Sequence, residues 1–415
     1  MKIKSVSAIQ IINSRGIPTL KAYVALDTGE IGWSMVPQGA STGKHEAAEI
    51  FDNNPQLFAG FSLQNNIQNI NDIINNGLKG LEITDQSAID KKLLELDGTT
   101  NKGKLGANTI LAVSSACVRA GAMATKKELF QYISEISGNK KISLPTPMFN
   151  IINGGAHTNN NLEIQEFMVI PSANSFFESI KIGVEIYLKL KAALTAKGQS
   201  TGLGDEGGFS PLLNNNQEAM SLIKEAIEAT NNQEKVFLGL DLAANGFYRP
   251  ETKQYQIGGK LITSDQLINY YQSLNEILSI KSIEDPMSEN DTVGWQKIIA
   301  AFPNLQIVGD DLFTTNPEII REKNQLANAV IIKPNQIGTI SETFSAISEA
   351  KNYNMKIIIS HRSGETEDPF IADLAVGIGA EEIKSGSLAR SERLAKYNRL
   401  LEIEALHNLP YTHGL

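Results

Sequence analysis

Six groups able to do acid–base or ionic chemistry recur along the second half of this 415-residue chain at nearly regular distances. Short apolar runs end at or beside Asp241 (VFLGLD), Glu284 (IKSIED), Asp310 (LQIVGDD), Lys333 (NAVIIK), the Ser360-His361-Arg362-Ser363-Gly364 stretch, and Lys384 (EEIK). Counting His361 for the fifth, successive positions differ by 43, 26, 23, 28 and 23 residues. Three carboxylates brought to one place repel one another, and a divalent cation between them removes the repulsion. An all-oxygen donor set points to a hard ion, Mg²⁺ ahead of Mn²⁺, and away from structural zinc. A salt-bridge network with the neighbouring lysines is the other arrangement this residue set allows. Lys333 and Lys384 flank the acids, and a partly desolvated lysine beside a cation has its pKa lowered towards that of a working base. Arg362 offers a rigid fork of donors suited to a carboxylate or a phosphate, with the Ser363 hydroxyl beside it.

Two further stretches add acids among glycines and rings. Gly204-Asp205-Glu206-Gly207-Gly208 sets adjacent carboxylates in a backbone free to bend sharply or approach a ligand closely. Asn153-Gly154-Gly155-Ala156-His157 precedes Gln165-Glu166-Phe167. Of five histidines, His45, His157 and His361 fall in such loops, whereas His407 and His413 read as surface residues. A base, an acid, a cation and an anion seat together suit removal of a proton beside a carboxylate. That proton is very weakly acidic, and neutralising the charge that develops brings it within reach of an amine.

These groups need a scaffold that brings six strand ends to one place. Intervals in the twenties fit one strand plus one helix, the repeat of a (β/α) barrel, whose active sites sit at the C-terminal ends of the strands. The longer first interval has room for a hairpin-like piece at 255–261 and then a helix. Thr263 with Gln266 forms its capping box, and Leu267, Tyr271, Leu274 and Leu278 share one face. Upstream the pattern differs. Residues 1–36 read as strands: Leu20, Ala22, Val24 and Leu26 alternate with polar neighbours, a turn follows at 27–30, and Ile31, Trp33 and Met35 resume the alternation. The small-residue stretch 37–43 reads as a connector, and 63–135 is helical, with Ile67, Ile70, Ile73 and Ile74 at helical spacing. A Gly-, Pro- and Lys-bearing junction at 137–147 predicts an α+β domain over 1–138 and a barrel over 139–415.

Composition narrows the function class. With 37 basic and 46 acidic side chains the net charge is −9, which disfavours nucleic acid or an anionic membrane as partner. A single cysteine, Cys117, lies in an apolar run and reads as a buried small residue. No signal-peptide core and no apolar run of about 20 residues is present, so a cytoplasmic protein without membrane insertion is expected.

The stretches SRG-PT (14–19), GASTG (39–43), INGGAH (152–157), QEFM (165–168), GDEGGF (204–209), SIEDP (282–286), GDDL (309–312), NQIGT (335–339), SHRSGETED (360–368), ARSER (389–393) and AKYN (395–398) resemble the enolase family in order and over nearly the full length. The resemblance implies an α+β N-terminal domain and a (β/α)8 barrel with a ββαα start. It implies reversible dehydration of 2-phospho-D-glycerate to phosphoenolpyruvate. Lys333 matches the base that takes the C2 proton, and Glu206, supported by Glu166, the acid that helps the C3 hydroxyl leave. Asp241, Glu284 and Asp310 match the ligands of a tighter Mg²⁺, and Ser41 a ligand of a second, substrate-dependent Mg²⁺. Arg362 and Ser363 match the phosphate contacts and Lys384 a carboxylate contact, while Gln165, His157 and His361 line the pocket. A homo-oligomer, dimer or higher, is also implied.

Departures from the family pattern cluster near the N-terminal loop. Asn13 stands where Asp is usual, Ile17 for Asn, Gln38 for Ser, and Phe51 for Arg. After the first metal position, Asn245-Gly246 replaces a small residue and Glu. None touches the base, the acid or the metal positions. They motivate two alternatives: a diverged relative acting on a related phospho- or phosphono-acid, and a weakly active paralogue kept for binding.

Overall fold

The structure is a computed structural model and describes residues 1–39 and 43–414. Its N-terminal part opens with an antiparallel sheet of β1 (Ile3–Ile12), β2 (Pro18–Leu26) and β3 (Ile31–Met35). The alternation in β2 places Leu20, Ala22, Val24 and Leu26 in the core. Against this sheet lies the helix Ala107–Ala124, rich in alanine and serine. Small residues let the two backbones meet: a Cβ on Gly32 of β3 would lie 2.4 Å from the Ala116 carbonyl. Cys117 is buried in this helix. A helical stretch at 64–78 and the helices Gln86–Asp97 and Leu129–Ile136 complete the α+β unit.

The barrel contains β4 (Thr146–Asn153), β5 (Glu166–Pro171) and β6 (Val236–Asp241), with the helices Phe176–Ala196 and Asn216–Glu228 between β5 and β6. β5 runs antiparallel to both neighbours, which is the ββαα start. A small three-stranded sheet, β7 (Tyr248–Arg249), β8 (Gln254–Ile257) and β9 (Lys260–Ile262), occupies the long interval. It leads into the helix Ser264–Ile277, which begins with the Thr263–Gln266 capping box. Then β10 (Ile280–Glu284), β11 (Gln306–Gly309), β12 (Ala329–Ile332), β13 (Lys356–Ser360) and β14 (Glu382–Lys384) follow in parallel, and β14 pairs with β4 to close the barrel.

Inside the barrel, Met148, Met168, Ile170, Val308, Ala329, Ile331 and Ile358 form an apolar plug. Residues two apart on a strand share a face, so Glu382 and Lys384 both belong to the inward face of β14. Glu382 is fully buried, accepts Gln306 Nε2 at 2.6 Å through Oε2, and leaves Oε1 without a partner. Burial pushes its carboxyl up to about 7. Among the described residues no helix is long and apolar enough to cross a membrane.

Candidate active site

The six strand ends converge. Asp241, Glu284 and Lys384 close β6, β10 and β14, while Asp310, Lys333 and His361 directly follow β11, β12 and β13. With loops carrying His157, Gln165, Glu206, Arg362 and Ser363, and with Glu166 at the start of β5, they line one cavity; Glu284 is outside the lining and reaches it through Lys384. Ser41 lies outside the described residues.

The N-terminal sheet grips one side of this cavity. Gln38 and Gly364 exchange two backbone hydrogen bonds of 2.8 Å, and the Ser14 amide donates to the Glu365 carbonyl at 2.8 Å. Asp368 accepts from the Met35 amide at 2.8 Å and from Arg119 Nη2 at 2.6 Å. The loop after β13 is therefore fixed from both domains. From within the barrel domain, Arg393, wholly buried, donates to the carbonyls of Arg362, Ser363 and Asp205 at 2.6, 2.6 and 2.9 Å. Lys396 pairs with Glu365 at 2.8 Å.

The acid side of the cavity is a buried pair. A donor atom of His157 and carboxylate oxygens of Glu166 and Glu206 lie within 4.8 Å of one another. Gly207, at φ +84°, turns the chain here; a Cβ would strike the Ala389 carbonyl at 2.5 Å. Burial works against charge on Glu206, yet His157, His361 and Arg393 hold it well below the usual carboxylate range. Asn150 Nδ2 donates to it at 2.9 Å. Burial, with Glu206 next to it, drives Glu166 well above its ordinary value. Of the two, Glu166 is the one that holds a proton more readily. Burial also holds His361 well below its usual value, so its ring is neutral. Its Nδ1 faces Arg393 Nη1 at 2.6 Å; a guanidinium only donates, which places the ring proton on Nε2, 3.4 Å from Glu206.

Two lysines line the same cavity. Lys384 Nζ contacts Glu284 at 2.7 Å, Asp241 at 3.1 Å and Glu166 at 3.2 Å, all buried. Lys333 Nζ pairs with Asp310, and Gln336 Nε2 donates to the other Asp310 oxygen at 2.9 Å. The structure thus forms the lysine–carboxylate network that the residue types allowed: Asp241 and Glu284 meet at Lys384, whereas Asp310 turns to Lys333. Burial pulls Lys333 down, but the surrounding carboxylates, Asp310 foremost, together hold it above its ordinary value.

The same acids retain capacity for a cation. Glu284 Oε1 and Glu166 Oε2 are buried without a hydrogen-bond partner. Burial, and Asp241 beside it, push Glu284 up to about 8. Oxygen-only donors with unspent lone pairs and carboxyls resisting ionisation fit a hard divalent ion. A second acidic group, Asp285, Asp310 and Asp311, has carboxylate oxygens within 4.8 Å. Asp285 accepts the amides of Asp310 and Asp311 at 3.0 and 2.8 Å, which orients the loop after β11.

Sequence reasoning overlooked Arg393, Asn150 and Glu46. Arg393 lay inside a recognised motif without a chemical role, and Asn150 sits mid-strand, where composition gives no signal. His45 is exposed and away from the cavity lining. The departures prove mutually satisfied. Asn13 Nδ2 donates to Gln38 Oε1 at 3.1 Å, and Asn13 Oδ1 accepts the Arg15 and Ile17 amides. Phe51 packs edge-on against Phe61 at 5.5 Å. Asn245 bridges Asp311 at 2.9 Å and Ser288 at 2.8 Å, and Gly246 borders open space.

Comparison with known proteins agrees with this architecture. Residues 3–133 match the family model for the enolase N-terminal domain, and residues 141–410 that for the enolase C-terminal TIM barrel domain. The proteins named enolase from Legionella pneumophila strains Philadelphia 1, Lens and Corby are each 45% identical over 417 aligned positions, covering 99% of this chain and 98% of theirs.

Proposed function

The chain belongs to the enolase family, and from that premise we propose that it interconverts 2-phospho-D-glycerate and phosphoenolpyruvate, with water leaving across C2 and C3. As a phosphopyruvate hydratase it is a lyase of glycolysis. In this reading Arg362 and Ser363 hold the phosphate, and Lys384 faces the substrate carboxylate. Lys333 takes the C2 proton from one side; on the other the Glu166–Glu206 pair delivers its proton to the departing C3 hydroxyl through Glu206. His361, neutral and fixed by Arg393, turns Nε2 to the Glu206 side at 3.4 Å, and His157 and Gln165 complete the wall. Asp241, Glu284 and Asp310 would hold Mg²⁺, which draws the Asp310 charge away from Lys333 and offsets negative charge developing on the substrate. Ser41, outside the described residues, is assigned to a second, substrate-dependent Mg²⁺ on family resemblance alone. The division at 138/139 into capping domain and barrel belongs to the same reading. So does a homo-oligomer, for which the exposed Ile9, Ile12 and Leu188 offer apolar surface.

The observation that carries this reading is the meeting of the Lys333 amine, the Glu166 and Glu206 carboxyls and the buried Arg362 guanidinium in the lining of one cavity. The test follows phosphoenolpyruvate by its absorbance and C2 hydrogen by exchange with deuterated solvent. Lys333→Ala is expected to lose both. Glu206→Gln is expected to keep exchange and lose dehydration. Equal loss of exchange in both variants, with substrate still bound, would reject this division of labour. The departures favour neither a phosphono-acid substrate nor a binding-only role, since Asn13, Gln38 and Asn245 use their side chains on neighbouring protein groups.

A further inference from the structure

Glu46 lines the cavity at its anion seat. Its carboxylate takes both arms of the Arg362 fork, Nη1 to Oε2 at 3.0 Å and Nη2 to Oε1 at 3.3 Å. Oε1 also accepts the Gly43 amide at 2.9 Å, and Gln336 Nε2 approaches it at 3.4 Å. Both side chains are buried, 5% exposed for Arg362 and 6% for Glu46, so solvent and salt screen the pair little. A guanidinium fork recognises carboxylate and phosphate oxygens in the same two-pronged way. The two anions cannot both take the same N–H pair at full strength. The donor that the proposed function gives to the substrate's phosphate is thus engaged by an anion of the chain itself.

We propose that Glu46 is an internal competitor for Arg362: a positioning residue whose carboxylate keeps the guanidinium aimed into the cavity and must yield the fork when a phosphate arrives. The inference rests on the phosphate reading of Arg362. It adds a source of selectivity. A dianionic phosphate displaces a monoanionic carboxylate from a buried cation, whereas another monoanion gains nothing by the exchange. Substrate affinity is then set by the difference between two anions, not by the Arg362–phosphate contact alone.

The experiment uses the full chain and inorganic phosphate as probe, with calorimetric binding and steady-state turnover of 2-phosphoglycerate. Glu46→Gln keeps size and an acceptor but removes the charge. It is expected to tighten phosphate binding about tenfold, the scale of one charge-assisted contact, and to lower KM more than it changes kcat. Unchanged or weaker phosphate binding in this variant would overturn the proposal and leave Glu46 as a mere support for Arg362. Glu46→Asp, whose shorter carboxylate reaches the fork less well, is expected to tighten binding by a smaller factor. It serves as the readout if the Gln variant does not fold, and weaker binding there would overturn the proposal equally. Arg362→Gln separates the premise: wild-type phosphate affinity in that variant would refute the phosphate reading itself, whatever Glu46 does.

Discussion

Replacing Glu382 with Gln is expected to stabilise the protein at alkaline pH and to do so progressively less as the pH falls. Glu382 is buried on β14, with one oxygen bonded to Gln306 and the other unpartnered. Its carboxyl stands at about 7 against an ordinary 4.5. The folded state therefore holds this proton more tightly than the unfolded chain does. The resulting stability is fully present below the unfolded value and is lost as the pH rises through the folded one. Linkage over those two values gives a cost of about 1 kcal/mol at pH 5 and about 3 kcal/mol at pH 8. Gln is neutral throughout and can still accept from Gln306. For a chain of this length, about 3 kcal/mol corresponds to a rise in Tm of about 3 °C. The assay is thermal unfolding by circular dichroism from pH 5 to pH 8, both proteins at one concentration so that oligomerisation does not enter. A Tm difference that is constant with pH, or a variant less stable at pH 8, would refute the reasoning. It would mean that the carboxylate is ionised and compensated in the fold, with Lys356 as the nearby cation.

Excess chelator is expected to abolish turnover and added Mg²⁺ to restore it, read by phosphoenolpyruvate absorbance; activity persisting in chelator would reject the cation site at Asp241, Glu284 and Asp310. Arg393→Lys is expected to lower kcat/KM by about 10²-fold, because a point charge cannot bridge the carbonyls of Arg362, Ser363 and Asp205 that the planar fork spans. A double-mutant cycle on Asn13→Ala and Gln38→Ala is expected to give about 1 kcal/mol of coupling in chemical denaturation, the scale of one hydrogen bond. Additive effects would mean that the contact contributes nothing.

The barrel was legible because its signal is periodic. Apolar runs ending in charge at intervals in the twenties describe strand, loop and helix, and Asp241, Glu284, Asp310, Lys333 and Lys384 all stand at strand ends. The electrostatics were less legible because they depend on which opposite charge lies nearest. Burial pulls Lys333 down, yet Asp310, 23 positions earlier, takes its ammonium and leads the carboxylates that raise it. The partners of the anion loop were hidden for another reason. Glu46 is separated from Arg362 by 316 residues, and Arg119 from Asp368 by 249, so no local spacing announces either pair. The departures at 13 and 38 looked like two independent oddities until their side chains were found bonded to each other.

That last contact bears on how such chains can exchange segments. The Gln38–Gly364 bridge is made by backbone groups and so does not depend on which side chain stands at 38, although a Cβ at 364 would lie 2.8 Å from the Gln38 carbonyl oxygen. The Asn13–Gln38 bond is made by side chains and demands both members. A recombination breakpoint between residues 13 and 38 would unite one chain's first half-pair with another's second and leave an amide unmatched beside the anion loop. A breakpoint near 138 would inherit the pair intact. Positions 13 and 38 therefore form a single heritable unit, and a chimera with a relative should carry both residues from one parent.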